Sequence, residues 1–167
     1  MADGLTVTRC EGLGIATVMG RKGVTAQEIG SAFGGALVDG PAVSPLDVYQ
    51  AVGTGPATWL LISEAADADF AGLLAGQLSG LASVSDQSSG YEVFELAGPG
   101  ARTVLQRGAA IDFHPDCFRT GSVATTVIAH IGVVIWQVSE VPAYRIACLR
   151  SYGNSFDHWL QSTVASL

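Results

Sequence analysis

Residues Tyr91–Pro115 read YEVFELAGPGARTVLQRGAAIDFHP, and the succession of local signals in them decides the fold. Tyr91–Ala97 alternates in polarity and is rich in β-formers, which predicts a strand. Gly98 breaks it, and Pro99 stands where the first turn of a helix tolerates a missing N–H. Ala101, Val104 and Leu105 then give one apolar face at helical spacing, with Arg102 and Arg107 near the end that favours cations. Gly108 is the expected left-handed stop. A strand, a short helix and a loop carrying Asp112 and His114 therefore follow one another.

The same punctuation extends in both directions. Leu5–Arg9 and Ile15–Val18 read as short strands separated by Gly12 and Gly14. Thr25 is the N-cap expected for a helix carrying Ile29 and Phe33, ended by Gly34-Gly35. Asp39–Pro45 reads as loop, and Tyr49–Val52 with Thr58–Ile62 as a hairpin across Gly53-Thr54-Gly55-Pro56. Asp67 opens a helix whose apolar face is Phe70, Leu73, Leu74, Leu78 and Leu81. After a strand at Val84 and a turn at Gln87–Gly90, the second half repeats the order. Val123–Ala129, Val133–Val138 and Ala143–Leu149 are β-rich, separated by Gly132 and Pro142, and a last helix from about Asn154 carries Phe156, Trp159, Leu160 and Val164. The expected fold class is α+β: mostly antiparallel sheets with helices on one side, in two pseudo-repeated halves. One domain spans residues 1–167, with halves at about 1–82 and 83–167.

Composition narrows the function. A chain of 167 residues with 49% hydrophobic content can bury a core, yet only 14% is charged, well under the usual quarter. Small neutral surface, which the 21 glycines favour, or a covering partner accounts for the deficit. A net charge of −7 provides no basic patch to neutralise phosphates, which argues against nucleic acid. No stretch approaches the roughly 20 apolar residues of a membrane span. No apolar segment follows a basic start, so the expected compartment is the cytoplasm. Cys10, Cys117 and Cys148 lie at wide spacings without a metal-ligand pattern and read as reduced, structural thiols.

The residues that invite chemistry have simpler readings. Asp112 and His114 are two apart and suit an acid/base pair, but no third group joins them. The alternative is that Asp112 caps a turn while His114 fixes the loop with one hydrogen bond. Ser88 and Ser89 lack a nucleophile elbow, Gly98-Pro99-Gly100 lacks a phosphate-loop pattern, and His158 forms no metal site alone. His130 reads as a sheet residue. Arg150 pairs with a partner's carboxylate or caps a carbonyl. Trp59, Trp136 and Trp159 read as core or interface anchors. The expectation is no catalytic residue, no metal site and no cofactor held by this chain.

As a set, several segments resemble the gamma subunit family of heterotetrameric sarcosine oxidase. They are Gly55-Pro56-x-x-Trp59-Leu60-Leu61, Asp86-Gln87-Ser88, Leu96-x-Gly98-Pro99-x-Ala101-Arg102, Asp112-Phe113-His114-Pro115, Phe118, Gly121, Trp136, Arg150-Ser151 and Phe156-x-x-Trp159-Leu160. The resemblance runs from about Gly53 to the C-terminus. It implies a fold related to the folate-binding domain of aminomethyltransferases. It also implies a non-catalytic role beside alpha, beta and delta subunits that carry FAD, FMN and NAD, with tetrahydrofolate accepting the one-carbon unit. Asp112, Phe113, His114 and Pro115 then read as a docking loop, with Arg150 and Trp159 as further partner contacts. A sister subunit of another secondary-amine oxidase or dehydrogenase, and a free-standing folate-binding protein, are the alternatives.

Overall fold

The computed structural model describes residues 4–65 and 67–167. Two compact units emerge, and each is built on its own antiparallel sheet. One comprises Gly12–Gly90. The other comprises Tyr91–Leu167 together with the N-terminal stretch that ends at Glu11.

The Gly12–Gly90 unit contains strand β2 (Gly14–Gly20), helix α1 (Ala26–Ser31), β3 (Val43–Pro45), β4 (Gln50–Gly55), β5 (Thr58–Ser63), helix α2 (Phe70–Gln77) and β6 (Ala82–Asp86). Its five strands lie in the order β3-β4-β5-β2-β6. The period-two pattern of a strand puts Ala16, Val18, Ala51, Trp59 and Leu61 on one face. Ile29 of α1, with Phe70 and Leu74 of α2, closes over that face to form the core. Thr25 caps α1 as expected: its hydroxyl accepts from the Glu28 N–H, and Glu28 reaches back to the Thr25 N–H at 2.8 Å, a reciprocal capping box.

The other unit contains β1 (Thr6–Cys10), β7 (Tyr91–Ala97), α3 (Ala101–Gln106), β8 (Val123–Ile128), β9 (Ile131–Ser139), β10 (Ala143–Leu149) and α4 (Gly153–Ala165). Its strand order is β1-β7-β10-β9-β8. Phe94, Leu96, Val133, Ile135, Tyr144, Ile146 and Cys148 face α3 and α4, which contribute Val104, Leu105, Phe156 and Leu160 to the core. Burying an aliphatic or aromatic side chain of this size contributes roughly 1.5–3 kcal/mol.

Strand by strand, β2, β3, β4, β5 correspond to β7, β8, β9, β10, and α1, α2 to α3, α4. The pseudo-repeat is thus a βαβββα unit plus one edge strand beside its first strand. That edge strand differs in origin: β6 follows α2 directly, whereas β1 comes from before the first unit.

Four expectations are corrected. The halves do not divide at residue 82. Strand β1 pairs with β7 through five registered positions from Thr6↔Ala97 to Cys10↔Val93, while β6 pairs with β2. The predicted loop at Asp39–Pro45 contains β3, a three-residue edge strand ending at Pro45 and too short to show a period. Pro99 does not open α3; Gly100 is its N-cap at φ +91°, a left-handed conformation that suits glycine. The β8–β9 turn falls at Ala129-His130, both with positive φ, so His130 is a turn residue and Gly132 lies inside β9.

One apolar assignment and one helix start also shift. Leu73 is 57% exposed on α2, and the helix begins at Phe70, not Asp67.

Candidate functional site

The loop between α3 and β8 is built around two aromatic anchors. Phe113 and Phe118 are buried, with ring centroids 5.4 Å apart, and both pack on Tyr144 of β10 at 5.8 and 6.2 Å. The Tyr144 hydroxyl accepts from Arg102 Nε at 2.9 Å. Burial raises the Tyr144 pKa, and the guanidinium offsets part of that rise. With both phenylalanines inside, Asp112, His114, Pro115, Asp116 and Cys117 are left exposed on the rim.

Backbone contacts fix that rim. Asp112 Oδ1 accepts from the His114 N–H at 2.8 Å, and the His114 carbonyl accepts from the Cys117 and Phe118 N–H groups at 2.8 and 2.9 Å. The His114 N–H bond, then the Cys117 thiol, hold the Asp112 carboxyl below the usual carboxylate range. The same thiol–carboxylate contact pushes the Cys117 thiol up. His114 Nδ1 accepts from the Asp116 N–H at 3.3 Å and stands 3.5 Å from Asp116 Oδ2. Asp112 therefore orients the His114 backbone and the Cys117 thiol, while the imidazole faces Asp116. Phe113 belongs to the core, so the expectation that it meets a partner directly is corrected: it anchors the loop from inside.

Arg150 and Trp159 serve other parts of the same unit. Arg150 Nη1 donates to Glu92 Oε1 at 3.2 Å, and its Nη2 to the Tyr91 carbonyl at 3.1 Å. Glu92 also stands 3.7 Å from Arg9, and Arg9 in turn 3.6 Å from Asp157 on α4. Trp159 is half-buried, tilted against Phe156 at 5.8 Å. Trp59 and Trp136 are fully buried, and Trp59 Nε1 donates to the Val38 carbonyl at 2.7 Å. Burial drives the Cys148 thiol up to about 11. Among the described residues no group of three His, Cys, Asp or Glu side chains is placed to hold a metal, and no helix is long and apolar enough to cross a membrane.

A second feature lies in the Gly12–Gly90 unit, in residues the sequence did not single out. A cleft of about 160 Å³ is lined by Ala32, Phe33, Asp47, Val48, Tyr49 and Gln77. The sequence marks Phe33 only as part of a helix face and Tyr49 only as the start of a strand.

The sarcosine oxidase gamma subunit family model matches residues 54–166. The chain is 30% identical over 151 residues to sarcosine oxidase subunit gamma of Corynebacterium sp. strain U-96, covering 89% of this chain and 72% of that protein. It is 36% identical over 77 residues to the subunit gamma of Corynebacterium sp. strain P-1; that stretch spans 46% of this chain and 37% of the relative. Among solved structures, the backbone is similar to heterotetrameric sarcosine oxidase from Corynebacterium sp. U-96 in complex with pyrrole 2-carboxylate. The TM-score is 0.86 at 25% identity, covering 97% of this chain and 84% of that one. It is also similar to glycine cleavage system aminomethyltransferase T from Bartonella henselae, with a TM-score of 0.67 at 13% identity over 93% of this chain and 45% of that one. The second likeness is one of fold.

Proposed function

Because the chain belongs to the sarcosine oxidase gamma subunit family, we propose that it is a small structural subunit of a multisubunit, flavin-dependent oxidase that demethylates sarcosine to glycine. The observation that carries this reading is the backbone likeness to the heterotetrameric oxidase over 97% of the chain. In this reading alpha, beta and delta subunits are its partners and the assembly works in the cytoplasm. FAD, FMN and NAD sit on the other subunits, where tetrahydrofolate accepts the one-carbon unit.

The local chemistry is consistent with a scaffold. The Asp112–Arg119 rim commits its polar groups to its own backbone, and the Asp112 carboxylate does not address the His114 imidazole. A loop held this firmly presents a preorganised surface, which lowers the ordering cost of docking. The exposed side chains of Asp112, His114 and Pro115 are the contact points in this reading, and buried Phe113 sets their position. Arg150 ties the end of β10 to the start of β7, and Trp159 packs α4 against Gly108.

Co-expression of the chain with the large and small subunits of the oxidase tests the reading. The expected result is co-purification in one assembly whose flavin content lies on other chains. Amine-dependent oxygen consumption by the isolated chain, or saturable tetrahydrofolate binding to it alone, overturns it.

A further inference from the structure

The cleft in the Gly12–Gly90 unit has a chemistry that the subunit role does not use. Three segments converge on it. Ala32 and Phe33 follow α1, Gln77 ends α2, and Asp47, Val48 and Tyr49 form the turn between β3 and β4. That turn is closed by the Leu46 N–H donating to the Tyr49 carbonyl at 2.9 Å, which leaves Asp47 and Val48 at its tip. Gln77 Nε2 donates to the Ala32 carbonyl at 2.6 Å, tying α2 to the end of α1 and leaving the amide oxygen uncommitted. The Phe33 and Tyr49 rings meet nearly at right angles, 81°, with centroids 5.6 Å apart. Phe70 supports Tyr49 from the core at 5.8 Å.

The one formal charge that lines this cleft is negative. Among the described residues, the Asp47 carboxylate has no hydrogen bond or ion pair. The Gln77 oxygen is an acceptor, and the Phe33 and Tyr49 rings complete the lining. No cationic side chain lines the opening. The unit as a whole carries two cations, Arg21 and Lys22, against seven carboxylates, so five of the chain's seven net negative charges lie in it. An anion is excluded from such a place. A hard metal ion is poorly served, because it wants six or more oxygen ligands and the cleft presents one carboxylate. A soft organic cation satisfies both the rings and the carboxylate. The volume of about 160 Å³ is several times the roughly 30 Å³ share of one water, enough for a small alkylated ammonium head.

We propose that the cleft formed by Phe33, Asp47, Tyr49 and Gln77 binds small methylated ammonium ions, with the aromatic pair as its walls and Asp47 as the counter-charge. The site does not depend on assembly with other subunits, so its test and that of the subunit reading separate.

The full-length chain is titrated with choline and, in parallel, with 3,3-dimethylbutan-1-ol, a neutral molecule of the same shape, at constant ionic strength. The readout is the ring-proton chemical shifts of Phe33 and Tyr49. Saturable shifts with choline, at least fivefold tighter than with the alcohol, are expected. Asp47→Asn weakens choline binding about three- to fivefold, in keeping with an exposed charge pair, and leaves the alcohol unchanged. Asp67→Asn, which removes an equal charge outside the cleft, has no effect. Phe33→Leu abolishes the preference, with folding checked by circular dichroism. Non-saturable shifts, equal affinity for the neutral molecule, or an Asp47→Asn variant that binds choline as the parent does would each overturn the proposal.

Discussion

Gly108 leaves open the space that the Trp159 indole occupies: a Cβ at Gly108 would run into Cζ2 of that ring and crowd Ile128. This contact seats α4 against the end of α3, and it explains a glycine that the sequence suggested was a left-handed stop. Gly108 is absent from the positive-φ residues, and Arg107, the C-cap of α3, is in the right-handed region. Closeness, not backbone conformation, selects the residue. Gly108→Ala should therefore lower the stability of the chain by about 1–3 kcal/mol through overpacking. Gly108→Ala combined with Trp159→Leu should show positive coupling, measured as a double-mutant cycle by urea denaturation. Strict additivity would contradict the packing account.

Glu92 ties β7 to two neighbouring segments, with Arg9 of β1 at 3.7 Å and Arg150 at 3.2 Å. The Glu92 side chain is only 12% exposed, and Arg9 also lies 5.2 Å over the Phe94 ring. Glu92→Ala removes the shared counter-charge of two partly exposed guanidiniums, so a loss of up to about 1 kcal/mol is expected. Because β1 reaches its sheet from before the first unit, the amides of Thr6–Cys10 should lose exchange protection more than those of β9. Hydrogen exchange with mass spectrometric detection checks this, and uniform loss across the sheet would argue against a local latch.

The α3–β8 loop should respond to acid. The Asp112 pKa is lowered in the folded state, chiefly by the His114 N–H. Its contribution is fully present above the ordinary carboxylate pKa and is lost as pH falls through the depressed folded value. The His114 amide resonance should move in that acid window, and Asp112→Asn should remove the transition. The same contact raises the Cys117 thiol. Asp112→Ala should therefore speed Cys117 alkylation several-fold near pH 8, because more thiolate is present. Cys148, buried with its pKa near 11, should stay unreacted in the native protein.

Ala129 and His130 turn the chain between β8 and β9 at φ +49° and +67°. A two-residue hairpin with both central residues at positive φ favours Asn-Gly. Replacing Ala129-His130 by Asn-Gly should raise stability by roughly 0.5–1 kcal/mol, seen as a higher midpoint in urea with unchanged slope. A loss of stability would mean that His130 supports the turn in a way its backbone angles do not reveal.

Strong local signals in the sequence are legible. The alternation in Tyr91–Ala97, the N-cap Thr25 and the apolar spacing of Phe156 and Leu160 each produced the element they predict. Long-range pairing was not visible. Nothing near Thr6–Cys10 signals that its partner is β7, about ninety residues on, because β registers depend on alternating side chains that many strands share. The β8–β9 turn was misplaced because Gly132 is the usual punctuation and Ala129-His130 is not. Within the loop, Asp112 and His114 were named as a pair, but sequence alone did not say which atoms meet. The cleft of Phe33, Asp47, Tyr49 and Gln77 joins residues from three segments, so no window of sequence displays it.

The central claim is that the chain is a structural subunit, and assembly with its catalytic partners tests it most directly. The measurement is the sarcosine turnover and mass of the co-expressed complex, with the parent chain and with His114→Ala. For a structural subunit, His114→Ala alters the fraction assembled while turnover per assembled complex stays at the parent value. Unchanged assembly with lost turnover per complex would place chemistry on this chain and contradict the account.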